Sequence, residues 1–103
     1  MNPGWTAEGV RICVCRQLAV VLSVPLESIH PESRIQIDLG AESLDLLDLM
    51  FRLEDALHIK LDARELSEVA NQEGVVEDFR ERFTVEALSL WLLARVERAH
   101  AGA

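Results

Sequence analysis

The sequence is poor in the residues that favour sheets and irregular loops. Only 5% of its 103 residues are aromatic and none is tyrosine, while proline and glycine contribute three and five residues. Strands favour aromatic and β-branched side chains, whereas helices accommodate leucine well. Because half of the residues are apolar, a disordered chain is excluded. The length and composition predict one all-α domain over residues 1–103.

Cysteine is scarce as well, since only Cys13 and Cys15 are present. In a helix, side chains two positions apart diverge by about 160°, so these two cannot form a local disulfide. No group of cysteines and histidines has metal-ligand spacing, and no metal site is expected. The simplest interpretation is a reduced, cytoplasmic location.

The sequence also lacks long apolar runs. None approaches the roughly 20 apolar residues that a membrane span requires, so we expect no insertion into a membrane. The first residues, Met1-Asn2-Pro3-Gly4-Trp5, have neither a basic region nor a long apolar stretch after it. This predicts that no signal peptide is present.

Positive charge is outweighed by negative charge. Ten Lys and Arg residues stand against 18 Asp and Glu residues, and the net charge is −8. Nucleic acid is excluded as a partner because phosphate neutralisation needs a basic patch. An anionic membrane surface is disfavoured for the same reason. The charge favours basic protein partners.

Apolar periodicity predicts a small four-helix bundle. The predicted helices cover residues 7–23, 43–57, 63–71 and 84–100. Thr6 and Thr84 are suitable N-caps for the first and last helices. Residues 25–42 form a long loop, and residues 75–82 are ambiguous between helix and loop. The expected apolar anchors of the long loop are Ile29, Ile35, Ile37 and Leu39. The expected core stripes are Val10, Val14, Leu18, Val21 and Leu22 in the first helix and Val85, Leu88, Leu92, Val96 and Ala99 in the last.

The second predicted helix has two separate apolar faces. One is an ordinary core stripe of Leu46, Leu49, Met50, Leu53 and Leu57. The other, formed by Leu44, Leu47 and Phe51, points away from that core. Residues 38–55 also hold six acidic residues and one arginine, so they carry −5 of the total charge. Either a further helix or a partner must cover the second apolar face.

Ser43 begins this helix and has two interpretations. Serine is a preferred N-cap, and local chemistry favours that role. Alternatively, the hydroxyl carries a phosphodiester, which would lie at the positive end of the helix beside unpaired backbone N–H groups. The acidic neighbours Glu42 and Asp45 would repel such a phosphate, so local electrostatics alone do not decide.

A known motif is similar to residues 38–45, which read Asp-Leu-Gly-Ala-Glu-Ser-Leu-Asp. They resemble the prosthetic-group motif of acyl carrier proteins, whose pattern is Asp-Leu-Gly-x-Asp-Ser-Leu. The resemblance continues without gaps to Ile59-Lys60-Leu61 and backwards over residues 24–33. Residues 84–88 resemble the start of the last helix of that family. In all, it covers about residues 8–61 and 83–98.

The resemblance implies a carrier and no catalyst. Ser43 would receive 4′-phosphopantetheine from coenzyme A through a separate phosphopantetheinyl transferase. The terminal thiol of the arm would hold an acyl chain as a thioester. The carrier, a monomer, would deliver it to synthases, reductases or acyltransferases of lipid biosynthesis.

The family docks on its enzymes through the second helix, and basic patches on those enzymes would meet its acidic residues. By position, this recognition surface would comprise Glu42, Leu44, Asp45, Leu47, Asp48, Phe51, Glu54 and Asp55. Three residues depart from the family pattern. Glu42 replaces the usual aspartate, His58 replaces a helix-ending glycine, and Arg52 interrupts the acidic face.

The largest departure is a lengthened segment over residues 62–82. Ordinary bacterial fatty-acid carriers cross this interval in fewer residues. Asn71-Gln72-Glu73-Gly74-Val75 is similar to a turn in specialised carriers of very long acyl chains, including the lipid A type. A longer chain would need more apolar lining. The alternative is a tolerated surface insertion, because loops lengthen at little cost.

A second hypothesis comes from a different class of protein. The chain would be a non-catalytic all-α interaction module in which Ser43 is only a cap and the acidic helix binds a basic partner. An enzyme is disfavoured, because no combination of nucleophile, base and acid or phosphate-binding loop is apparent.

Overall fold

The structure, a computed structural model, describes residues 5–61 and 80–101. Its helices are α1 (Ala7–Leu22), a short 3₁₀ turn (Leu26–Ser28), α2 (Ser43–Leu57) and α3 (Val85–Ala101). Within these residues there is no strand, only an isolated bridge between Arg34 and Thr84. The all-α prediction is confirmed. The helix predicted over 63–71 lies outside the described residues, and so does most of the lengthened segment. Residues 80–82 of that segment are described, and they are helical.

Polar caps fix both ends of α1. Thr6 is the N-cap, and its hydroxyl accepts a hydrogen bond from the Gly9 N–H at 2.9 Å. Ser23 then adopts a left-handed conformation with φ of 55° and donates its N–H to the Ala19 carbonyl. The helix therefore ends one residue earlier than predicted, and Pro25 follows, which cannot continue it.

The core lies where the three helices meet, and α1 packs against both α2 and α3. The whole predicted stripe of α2 is buried, as are Val10, Val14 and Leu18 of α1. Four of the five predicted residues of α3 are buried: Val85, Leu88, Leu92 and Val96. The prediction for Ala99 was wrong, because Ala99 is exposed near the end of α3. Val21 and Leu22 are only half-buried and pack against the rim of the core.

The long loop is hydrogen-bonded to the beginning of α3. The Ile35 N–H donates to the Phe83 carbonyl at 3.0 Å, and the Val85 N–H donates to the Ser33 carbonyl at 3.0 Å. Thr84 caps α3 by accepting the Ala87 N–H at 3.1 Å. Ile29 and Ile35 are buried anchors, as predicted, and Leu39 packs against the core. Ile37 is 43% exposed, so its predicted anchoring role was wrong.

The C-terminal end of α2 is held by one residue, Glu54. Its backbone carbonyl accepts the N–H groups of His58 and Ile59. Its carboxylate accepts the Leu61 N–H at 2.6 Å. His58 itself has a φ of 57°, a left-handed conformation that disfavours side chains with a Cβ. The helix therefore ends with the geometry of a glycine C-cap but without the glycine.

Replacing His58 with glycine is expected to raise the free energy of unfolding by about 1 kcal/mol, because it removes the steric cost of positive φ. Urea unfolding followed by circular dichroism measures the change. His58→Ala is the matched control, since it removes the imidazole but keeps the Cβ. An equal gain in both variants would contradict the backbone explanation.

Candidate functional site

The chain reaches α2 through a tight, hydrogen-bonded turn. The N–H groups of Asp38 and Leu39 both donate to the Arg34 carbonyl, at 2.8 and 3.1 Å. The Ala41 N–H donates to the Ile35 carbonyl at 3.1 Å. Gly40 has a φ of +75°, which residues with a Cβ rarely adopt. Gly40 thus turns the chain into α2, which explains the glycine of the motif.

Glu42, and not Ser43, is the N-cap of α2. Glu42 has extended backbone angles, and its N–H donates to the Asp45 carboxylate at 2.9 Å, as in a capping box. Ser43 is the first helical residue. The interpretation of Ser43 as the cap was therefore wrong. The sequence alone points to the wrong residue, because serine is a preferred N-cap and glutamate is not.

The Ser43 side chain is exposed and makes no hydrogen bond among the described residues. Its hydroxyl is therefore available for reaction. It lies at the N-terminus of a 15-residue helix, where backbone N–H groups lack intrahelical partners and the helix dipole favours an anion. A phosphate ester on this oxygen fits the site, although Glu42 and Asp45 beside it oppose the anion.

One face of α2 presents large apolar side chains to solvent. Leu44 is 78% exposed, Phe51 is 59% exposed and Leu47 is 39% exposed. These three residues, the exposed apolar patch, are the second apolar cluster of the sequence, and the core formed by residues 5–61 and 80–101 does not cover them. An exposed apolar cluster rimmed by polar residues is typical of a protein-binding site.

The carboxylates of α2 have different surroundings. Asp45 accepts the Glu42 N–H, and Glu54 is half-buried and accepts the Leu61 N–H. Asp48 is exposed and forms an ion pair with Arg52, whose Nε lies 3.3 Å from its Oδ1. Asp55 is exposed and has no hydrogen bond or ion pair among the described residues. Two of these four acids therefore have structural hydrogen bonds, and two face solvent.

Sequence reasoning missed an arginine beside the motif. The Arg34 guanidinium binds Asp38 with two hydrogen bonds, Nε to Oδ2 and Nη2 to Oδ1, both 3.0 Å. Its Nη1 donates to Glu81 at 2.8 Å. The hydrogen bonds from Arg34 lower the pKa of Asp38, and the carboxylates raise that of Arg34. Arg34 and Asp38 lie in a loop, where the helical i,i+4 rule does not apply, and Glu81 is 47 positions away, so neither contact has a local sequence signal.

Other features of the described residues are less prominent. An open groove of about 660 Å³ lies between the C-terminal ends of α2 and α3, at the far end of α2 from Ser43, and its lining includes His58 and Arg98. No group of three or more potential metal ligands is found in residues 5–61 and 80–101. No helix in that part of the chain is long and apolar enough to span a membrane.

The described helices expose the Ser43 hydroxyl at the N-terminus of α2 beside the exposed apolar patch, an arrangement compatible with covalent modification and with protein binding. Comparison with known proteins agrees. Residues 13–86 match the family model described as "Phosphopantetheine attachment site". The acyl carrier protein of Helicobacter hepaticus is 35% identical over 71 residues, which span 69% of this chain and 88% of the relative. The acyl carrier protein of Saccharopolyspora erythraea is 33% identical over 84 residues, 82% of this chain and 78% of the relative.

The chain belongs to the acyl carrier protein family. It is a carrier that other enzymes modify and use, and it is not itself catalytic. Its prosthetic group is 4′-phosphopantetheine. The exposed Ser43 hydroxyl at the start of α2 is compatible with this group, because it has no hydrogen bond to the part of the chain that the structure describes and a helix N-terminus favours a phosphate.

Proposed function

We propose that Ser43 is the attachment residue and that the protein holds acyl chains as thioesters on its arm for biosynthetic enzymes. The observation that carries this proposal is the Ser43 hydroxyl on the first residue of α2, soon after the Gly40 turn. It is exposed and has no hydrogen bond within residues 5–61 and 80–101. Burial raises the pKa of the half-buried thiols of Cys13 and Cys15, which makes them less reactive than an exposed thiol with an ordinary pKa.

Intact-mass spectrometry tests the attachment. The protein is incubated with coenzyme A and a broad-specificity phosphopantetheinyl transferase, and its mass is measured before and after. The expected result is one added phosphopantetheine, located on residue 43 by peptide fragmentation. A chain that gains no mass would instead support the interaction-module hypothesis, and a gain at another residue would move the site.

We further propose that partner enzymes dock on α2. The exposed apolar patch would form the centre of the contact, and Glu42, Asp45, Asp48, Glu54 and Asp55 would supply the acidic rim. The partner would be an enzyme with an apolar depression bordered by lysine or arginine, because charge complementarity steers encounter while apolar contact holds the complex. Asp48 and Asp55 are the positions best suited to a test of steering, because both are exposed and replacing them removes no backbone hydrogen bond, unlike replacing Asp45 or Glu54. Arg52 offsets part of the charge of Asp48, so Asp55 should contribute more.

Reversing Asp48 and Asp55 to lysine is expected to raise the KM of the transferase for this carrier roughly tenfold at low salt, because electrostatic steering is lost. The difference should shrink at high salt, where charges are screened. Steady-state kinetics at two ionic strengths measure it. Glu27→Lys combined with Glu97→Lys, two exposed reversals outside α2, is the control, because it changes the net charge by the same amount. Equal effects of the two changes would argue against docking on α2.

The cargo and the cellular setting belong to the proposal as well. The lengthened segment supports a very long or specialised acyl chain, by its length and by its similarity to specialised carriers. We place the carrier in the cytoplasm as a monomer. The free cysteines, Cys13 and Cys15, are compatible with a reducing compartment.

A further inference from the structure

We propose that Arg34 is a positioning residue for the modification of Ser43. It would hold the turn that leads to Ser43 in a fixed place relative to the start of α3. This inference rests on the proposed function of Ser43 and adds a residue that the family motif does not contain, since Arg34 precedes Asp38 by four positions.

Three hydrogen bonds fix the position of Arg34 relative to Asp38, the first residue of the motif. Two guanidinium nitrogens bind the two carboxylate oxygens of Asp38, each at 3.0 Å, and the Arg34 N–H adds a third bond to Oδ2 at 2.8 Å. Bidentate, charge-assisted bonds of this kind fix orientation as well as distance. Lysine has no planar fork and cannot reproduce them.

The same side chain reaches the beginning of α3. Its remaining nitrogen, Nη1, binds the Glu81 carboxylate at 2.8 Å, four residues before α3 begins. The backbone supports this link, because Arg34 pairs with Thr84 in the isolated bridge and the Ile35 N–H binds the Phe83 carbonyl. Arg34 therefore joins two parts of the chain that are far apart in sequence.

Backbone hydrogen bonds connect Arg34 to the residues that precede Ser43. The Arg34 carbonyl accepts the N–H groups of Asp38 and Leu39, and the Ile35 carbonyl accepts that of Ala41. Ala41 is buried, and Glu42 then caps α2. The turn that presents Ser43 is thus held from one side by α2 and from the other by Arg34.

The role of Arg34 is local, not a global requirement for folding. Its side chain and those of Asp38 and Glu81 are between 35% and 60% exposed, and ion pairs this exposed contribute little to stability. Five buried residues anchor α2 independently. Loss of Arg34 should therefore change the placement of Ser43 more than the stability of the bundle. Small displacements of a reacting atom are costly to catalysis.

The test is single-turnover modification of the full chain by excess phosphopantetheinyl transferase with coenzyme A, followed by intact mass. Measuring the rate at several transferase concentrations gives two quantities: the maximal rate, and the transferase concentration at which the rate is half-maximal. Arg34→Gln is expected to lower the maximal rate about tenfold and to change the half-saturating concentration less than twofold. Arg34→Lys should behave like Arg34→Gln, because the charge remains but the fork is lost. Arg16→Gln, an exposed arginine on α1, should match the wild type.

Glu81→Gln keeps the proposal testable if the Arg34 variants fold poorly, since it removes only the contact with the start of α3. A smaller drop in the maximal rate, with an unchanged melting temperature, would support the proposal. A maximal rate within twofold of wild type in Arg34→Gln would overturn it. A change confined to the half-saturating concentration would also overturn it. That result would mean that Arg34 affects the binding of the transferase through its charge and not the position of Ser43. If Ser43 were not the attachment residue, the wild type itself would show no modification there.

Discussion

Ser43→Ala is expected to abolish phosphopantetheine attachment while leaving the stability of the bundle unchanged. The hydroxyl is the proposed acceptor, so its removal leaves no oxygen for the ester bond. Stability should not fall, because the side chain is exposed and Glu42 occupies the N-cap position instead. Had Ser43 been the cap, the same change would cost about 1 kcal/mol. Intact mass and urea unfolding on the same preparation measure the two results.

Ser33→Ala is expected to give the opposite pair of results, lower stability with unchanged attachment. The Ser33 hydroxyl accepts the His30 N–H at 3.0 Å, so its removal is expected to lower the free energy of unfolding by about 1 kcal/mol. Attachment at Ser43 should continue in that variant. A Ser43→Ala protein that still gained the full mass would disprove the assignment of the site.

Leu53→Ala is expected to lower the free energy of unfolding by about 3 kcal/mol. Leu53 is fully buried in the middle of the α2 core stripe, so truncation leaves a cavity that neighbouring side chains fill only in part. Small domains are stable by roughly 5–15 kcal/mol, so this single change removes a large share. Chemical denaturation gives the value.

Leu44→Ala is the matched control, because it makes the same chemical change on the same helix at a side chain that is 78% exposed. Its cost should stay within about 0.5 kcal/mol. Similar losses at the two positions would mean that Leu44 packs in solution against something that the bundle itself does not supply.

The helices and their core faces could be predicted from the sequence because burial imposes a repeating pattern. The α2 stripe illustrates this, since all five of its predicted residues are buried. Pattern reasoning fails at chain ends and in loops. Ala99 continues the α3 stripe in register but lies exposed, and Ile37 is apolar but faces solvent in the long loop. Ala99 lies in the last turn of α3, beyond the buried part of its stripe, and Ile37 lies in a loop, where no helical repeat dictates which side chains face the core.

The candidate site was predictable in outline but not in its polar contacts. The motif was identified by its resemblance to a known family, and the exposed apolar patch follows from the helical spacing of Leu44, Leu47 and Phe51. The partners of the acids do not, because hydrogen bonds depend on three-dimensional position. Glu54 was expected on the recognition surface, yet its carboxylate binds the Leu61 N–H. Asp38 was counted among the acids of the second-helix segment, yet Arg34 binds it.

The exposed apolar patch also has a consequence for the free carrier between its visits to enzymes. Three large side chains held in solvent would tend to bring copies of the protein together at high concentration. A net charge of −8 on 103 residues makes copies repel one another before the patches meet. The acidity should therefore keep the free carrier from aggregating. If partner enzymes dock as proposed, the same charge would attract their basic surfaces and repel another copy of the carrier.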